Sequence, residues 1–211
     1  PKDPDVLYAA TRTGVHLSED GGQSWNHFLD PEVNGGCLDL ALRTDRAQDW
    51  LFASCGTFEQ ATVYRRKMIR TGEWEAVLSE PGMGRTSLAI APSDQSVIYA
   101  LSASNDPGPG GHFEDALHAV YRSNSGGSPG TWRVRVDNTD SVKLNTLLLT
   151  NPLGASYVEC GQGDQNSWTP MGWYCNVIAV DPVDPEVVWA GGVDLFRSDD
   201  GGRNWGLASY W

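Results

Sequence analysis

The chain has 211 residues, enough for a sizeable core, and sets 15 basic against 27 acidic residues for a net charge of −12. That balance argues against nucleic acid or an anionic membrane surface as partner, and no apolar run is long enough to span a bilayer. Nine Trp, 24 Gly and 12 Pro instead fit many short strands joined by tight turns.

The sequence begins at Pro1 rather than Met and shows no leader peptide, so an upstream segment is expected to have been removed or left out. The first strand signal is Asp5-Val6-Leu7-Tyr8-Ala9, a polar turn, then apolar residues, then an aromatic followed by Ala. The alternating run Gly14-Val15-His16-Leu17 follows, and then Ser18-Glu19-Asp20-Gly21-Gly22-Gln23-Ser24-Trp25. In this pattern, S-x-D-x-G-x-x-W, the Ser and Asp side chains can bind nearby backbone N–H groups and hold a turn. Gly22 can take a positive φ, and Trp25 is expected to return its apolar face to the core.

The strand signals then recur. Leu38-Asp39-Leu40-Ala41-Leu42 precedes Asp49-Trp50-Leu51-Phe52-Ala53, and Tyr64-Arg65-Arg66 leads to Trp74 with the box lost. Ser87-Leu88-Ala89-Ile90-Ala91 precedes Ser96-Val97-Ile98-Tyr99-Ala100. A worn box from Ser123 to Trp132 follows, with Ser125 in the Asp place. Finally Val177-Ile178-Ala179-Val180, Glu186-Val187-Val188-Trp189-Ala190 and Asp194-Leu195-Phe196-Arg197 lead into a second intact box, in which Ser198, Asp200, Gly202 and Trp205 repeat the pattern. The aromatics at 8, 52 and 99 lie 44 and 47 residues apart.

The unit is therefore four antiparallel strands, and the chain is read as all-β, one segment over 1–211 with units at 1–32, 33–80, 81–137 and 173–211. The first unit lacks its innermost strand. Gly/Pro-rich residues 105–119 are expected as a loop insertion. Residues 138–172 are expected as a second insertion, with a short helix or extra strand near 144–149.

The two boxes with their upstream strands resemble the Asp-box, or BNR, repeat of β-propellers. That repeat occurs in sialidases, sortilin-type receptors, oligoxyloglucan-hydrolysing glycosidases and photosystem-assembly-like repeat proteins, and secreted bacterial propellers are the nearest in appearance. The resemblance implies blades of four strands, about four of them here, in a ring that is larger in the family. It also implies that the boxes are structural turns away from the functional face.

Cys37 opens one strand and Cys55 ends the next, so a hairpin centred near residue 46 sets them opposite each other. Cys160 and Cys175 flank a polar, Gly-rich loop. An even count in two local pairs fits two disulfides in an oxidising compartment, hence a secreted, periplasmic or cell-surface protein. Four buried thiols in a cytosolic protein are the alternative.

No cofactor or metal is expected. His16, His27, His112 and His118 lack metal-ligand spacing, and the acidic run 181–186 reads better as a Pro-stiffened turn than as a calcium site. In propellers the segments that enter each blade reach the channel mouth. Here they bring Arg85, Trp173 and Tyr174, an aromatic surface with one guanidinium suited to protein or glycan. The alternative is that Trp173 and Tyr174 pack on their own loop.

The glycosidase resemblance implies a catalytic Asp just after the first aromatic strand, where this sequence has Arg12. Of the arginines that a sialidase would need at the channel, only Arg12 and Arg85 are candidates. Asp39 and Glu159 are the weak carboxylate candidates. The first expectation is thus an exported, non-catalytic binding or scaffold module, partnered by protein, glycan or further blades. A fragment of a glycoside hydrolase and a structural segment of a cell-surface assembly are the alternatives.

Overall fold

The computed structural model describes residues 3–107, 114–139, 147–150 and 170–209. Within them lie four antiparallel meanders, each sheet ordered as the chain runs. Blade 1 has three strands, β1 (Leu7–Thr11), β2 (Gly14–Ser18) and β3 (Asn26–Leu29). Blade 2 has β4 (Cys37–Arg43), β5 (Trp50–Cys55), β6 (Thr62–Lys67) and β7 (Trp74–Leu78). Blade 3 has β8 (Met83–Ile90), β9 (Ile98–Ser104), β10 (Leu117–Ser123) and β11 (Arg133–Asp137). Blade 4 has β12 (Val177–Val180), β13 (Val188–Gly191), β14 (Leu195–Ser198) and the two-residue β15 (Gly206–Leu207). The architecture is thus the all-β set of blades expected from the repeats, with the first blade one strand short.

The blades stack in chain order. β4 lies beside β8 and β8 beside β12, while β1 lies beside β4. A separate apolar core fills each junction. Val15, Leu29, Ala53 and the Cys37–Cys55 pair lie between blades 1 and 2, with Phe28 and Trp74 packed on them. Phe52, Val63, Met83, Ile98, Tyr121 and Trp132 join blades 2 and 3. Tyr99, Leu101, Val120, Val188, Phe196 and Trp205 join blades 3 and 4. In blades 1 to 3 the third and fourth strands shift register just after a buried valine, Val15, Val63 or Val120. A bulge repeated at one place increases the local twist that fans the blades.

Direction matters in these junctions. Each fourth-strand tryptophan packs on the blade before its own. Trp74 donates its indole N–H to the carbonyl of Phe28 at 2.8 Å and stacks edge-on to that ring. Trp205 is 5% exposed in the core with Val120. Trp25 is the exception to the sequence expectation, at 42% exposed. Its ring belongs on the side of blade 1 that faces away from blade 2, and no described blade lies there.

An arginine clamp runs the other way. In blades 2, 3 and 4 a third-strand arginine lies over a second-strand aromatic: Arg65 over Trp50 at 4.6 Å, Arg122 over Tyr99 at 5.3 Å and Arg197 over Trp189 at 5.3 Å. Arg65 then reaches the next blade's turn, donating to Ser128 Oγ at 2.9 Å. Arg122 reaches Glu186 of blade 4, with Nη1 to Oε2 at 2.7 Å. Arg197 instead pairs with Asp199 of its own blade.

One insertion boundary differs from the sequence reading. The first insertion ends earlier, because Leu117 and Ala119 are buried on β9 and already belong to β10. Of the stretch near 144–149, the described residues begin at Leu147; residues 147–150 turn there, with Leu148 and Leu149 buried in the junction of blades 3 and 4. Gly192 makes room for that turn: a Cβ there would lie 2.8 Å from Leu149 Cα. Residues 140–146 and 151–169 of the second insertion lie outside the described residues.

Cys37 and Cys55 are register partners on β4 and β5 and form a disulfide with S–S 2.05 Å. Both are buried. The double variant Cys37→Ala/Cys55→Ala is expected to unfold about 3 kcal/mol more easily in urea, the chain-entropy value for a loop of this length. Unchanged stability would show that the bridge constrains nothing.

Candidate functional site

The segments joining one blade to the next and the loops between second and third strands share one face. Three exposed rings meet there. Phe58, in the loop after β5, is 68% exposed. Trp173 and Tyr174, in the turn before β12, are 38% and 63% exposed. Ring centroids are 5.8 Å apart for Phe58 and Trp173 and 5.5 Å for Trp173 and Tyr174. The turn is closed by Tyr174 N–H to Met171 O at 2.9 Å.

Arg85, near the start of β8, donates from Nη1 to the Trp173 carbonyl at 3.1 Å. Asn176 ties the same turn to blade 3, donating from Nδ2 to Arg85 O at 3.0 Å, while its own carbonyl accepts the Ser87 hydroxyl at 2.8 Å. The structure therefore brings together the three binding residues expected from sequence, and adds Phe58. The sequence signal for Phe58 was a lone aromatic at a polar hairpin tip, outside any alternating pattern.

Asp39 is a strut. Its Oδ1 accepts Leu40 N–H at 2.9 Å and its Oδ2 accepts Leu88 N–H at 2.7 Å, which links β4 to β8. Burial pushes its carboxyl up, against those two N–H groups and the Arg85 charge. Arg12 lies exposed in the β1–β2 turn on the loop face. Glu159 and Cys160 lie outside the described residues; Cys175, expected to pair with Cys160, carries a free thiol in the structure.

The two intact boxes turn their polar groups inward. The Ser18 hydroxyl donates to Asp20 Oδ1 at 2.8 Å and accepts Gly22 N–H at 2.8 Å. Asp20 then accepts Ser24 N–H at 2.8 Å, and Trp25 closes the turn onto Gly22 O at 3.1 Å. Ser198, Asp200, Gly202, Asn204 and Trp205 repeat each bond. Gly22 and Gly202 hold φ of 90° and 84°. In the worn third box Ser123 still accepts Gly127 N–H at 3.1 Å, but Thr131 now shares its hydroxyl at 2.7 Å. Trp132 Nε1 is left without a partner there.

No family model and no curated protein matches the chain. Among solved structures, the chain is similar to a GH74 enzyme of Niastella koreensis, with a TM-score of 0.57 and 20% identity. That match covers 96% of this chain and 30% of the other, so the chain spans less than a third of that enzyme's length. A second similar structure is YCF48 bound to D1 peptide, at 14% identity and a TM-score of 0.27, covering 97% of this chain and 79% of that one. At these identities the first likeness establishes the propeller fold and nothing of the chemistry.

The boxes carry a pH signature. The Ser24 side chain and N–H, with Ser18, hold the Asp20 carboxyl at about 2, below its ordinary 3.8. Burial pushes Asp200 up, but Asn204, Ser198 and Arg203 outweigh it and hold it at about 2 as well. A depressed folded value means that this stabilisation is complete above the ordinary value and is lost as pH falls through the folded one. Melting followed by circular dichroism is expected to drop between about pH 4 and pH 2. The double variant Asp20→Asn/Asp200→Asn should flatten that drop, and an equally steep drop in the variant would remove the boxes as its cause.

Proposed function

We propose that the chain is a non-catalytic, exported propeller module whose loop face binds a glycan or protein through Phe58, Trp173 and Tyr174, with Arg85 fixing the turn beneath them. The observation that supports this best is the run of three exposed rings at contact distance. Large exposed aromatics set side by side cost solvation unless a partner covers them, and the apolar faces of sugars fit such rings. Export is supported by the Cys37–Cys55 disulfide, a bond that persists in oxidising compartments.

The outward sides of blades 1 and 4 are proposed to meet further blades, of this polypeptide or another. Trp25 and Leu7 on one side and Trp189, Val177 and Leu195 on the other are all exposed. The second reading, a piece of a glycoside hydrolase, draws on the structural similarity to the GH74 enzyme. Two carboxylates would then have to stand roughly 5–9.5 Å apart across a sugar ring.

The test is a glycan array followed by calorimetry, with hydrolysis of xyloglucan and sialosides assayed in parallel. Each of Phe58→Ala, Trp173→Ala and Tyr174→Ala is expected to weaken binding by about 1 kcal/mol or more, without turnover. Turnover abolished by Asp39→Ala or Glu159→Ala would overturn the binding reading in favour of the hydrolase.

A further inference from the structure

Each blade opens its second strand with one equivalent residue: Asp5, Asp49, Ser96 and Glu186. The backbone confirms the equivalence. The carbonyls of Asp5, Ser96 and Glu186 accept the N–H of Gly21, Gly126 and Gly201 at 2.9, 2.8 and 2.8 Å, the same bond to the same glycine of each turn. Three blades carry a carboxylate at this place and blade 3 carries a hydroxyl.

The difference matters because of what the place faces. Between blades 3 and 4, Glu186 receives the fork of Arg122 through both oxygens, and Arg122 holds its carboxyl below the usual range. Between blades 2 and 3, Ser96 instead turns its hydroxyl to Asp94 Oδ1 at 2.6 Å. Here Arg43 lies against Gly126, as Arg122 and Glu186 lie against Gly201, and the other cations of blade 2 gather beside it, on the side of the blades opposite the aromatic platform.

Arg43, Arg46, Arg65 and Lys67 line a cavity of about 410 Å³ there, with Trp50 and Ser128 among its other walls. That volume is in the range of small-ligand sites. Among the described residues, two carboxylates pair with three of these cations. Asp45 pairs with Arg43 at 2.6 Å and lies 3.4 Å from Arg46, and Glu75 pairs with Arg65 at 2.6 Å. Lys67 has no ion-pair partner among the described residues. Asp94, close enough to feel Arg43 and Asp45, keeps Oδ1 on the Ser96 hydroxyl and N–H. On a chain of net charge −12, four cations around one cavity run against the overall field.

We propose that this cavity is an anion site, and that it takes the carboxylate of an acidic sugar, a uronate, beside the blade junction at which blade 3 lacks the carboxylate that Glu186 supplies one blade further on. Arg65 and Lys67 receive the carboxylate, with Arg46 at the rim. Trp50, whose ring carries Arg65 on one face, also lines the cavity, and Gln48 and Ser128 are placed to meet the sugar hydroxyls. The site is separate from the loop-face platform, so either can fail without the other.

The test is calorimetric titration of the chain with digalacturonate, its neutral methyl diester, inorganic phosphate and triglutamate. Saturable binding of digalacturonate is expected, weakened roughly tenfold or more on esterification. Ser96→Glu restores the carboxylate of the other blades and is expected to abolish the binding while keeping or raising the melting temperature. Lys67→Ala, which leaves Arg43 and Arg65 paired, is expected to weaken it about fivefold or more. No binding of digalacturonate, or an affinity unchanged in both variants, overturns the site. Equal or tighter binding of phosphate or triglutamate overturns the sugar as its ligand.

Discussion

A tryptophan that leaves its own sheet to pack on the preceding one is the contact on which the rest of the chain depends. No blade of four short strands buries much on its own, since one face of each sheet would stay wet. Trp74, Trp132 and Trp205 solve this by closing three separate cores between four blades. An intact box turn serves one of these crossings. In blade 4 its serine, aspartate and positive-φ glycines hold the turn from which Trp205 crosses to blade 3, whereas Trp74 crosses without a box. The arginine clamps act in the opposite sense, from the earlier blade to the later turn. The junctions of blade 2 with blade 3 and of blade 3 with blade 4 are thus held from both sides, and Asp39 adds a third tie to the first of them near the inner strands.

This polarity divides the molecule's work. The box turns and clamps occupy one side of the blades. The loops that enter each blade occupy the other, where they are released from structural duty and can present Phe58, Trp173 and Tyr174. Arg85 shows how the two demands meet: it lies near the start of an inner strand yet anchors the turn that carries the rings. The same polarity explains why an outward face remains at each end, one showing Trp25 and the other the Arg197–Trp189 clamp.

Much of this was legible in the sequence. The recurrent aromatic-Ala strand and the two boxes set the number of blades and the missing strand of the first, and strand order alone set Cys37 opposite Cys55. Arg85, Trp173 and Tyr174 were legible as a group because blade-entry segments converge in any stack of this kind. Other features were not. The exposure of Trp25 depends on which blade its indole crosses to, which a single repeat does not encode. Phe58 belongs to the platform only because a loop of blade 2 reaches the turn that enters blade 4. Ser96 was visible as a variation on Asp5, Asp49 and Glu186, but its meaning rests on cations that arrive from another blade. The first insertion was read too long because Leu117 and Ala119 follow a Gly/Pro-rich run that hides the start of a strand.

The crossing tryptophans carry the central claim, and comparing them one by one tests it most directly. Urea unfolding of Trp74→Ala, Trp132→Ala, Trp205→Ala and Trp25→Ala in the same chain separates crossing from non-crossing rings. The account predicts a loss of about 3–5 kcal/mol for Trp132 and Trp205, a smaller but clear loss for the half-buried Trp74, and under about 1 kcal/mol for Trp25. A loss at Trp25 equal to that at Trp205 would show that the indole stabilises its own turn rather than the blade before it, and would contradict the account.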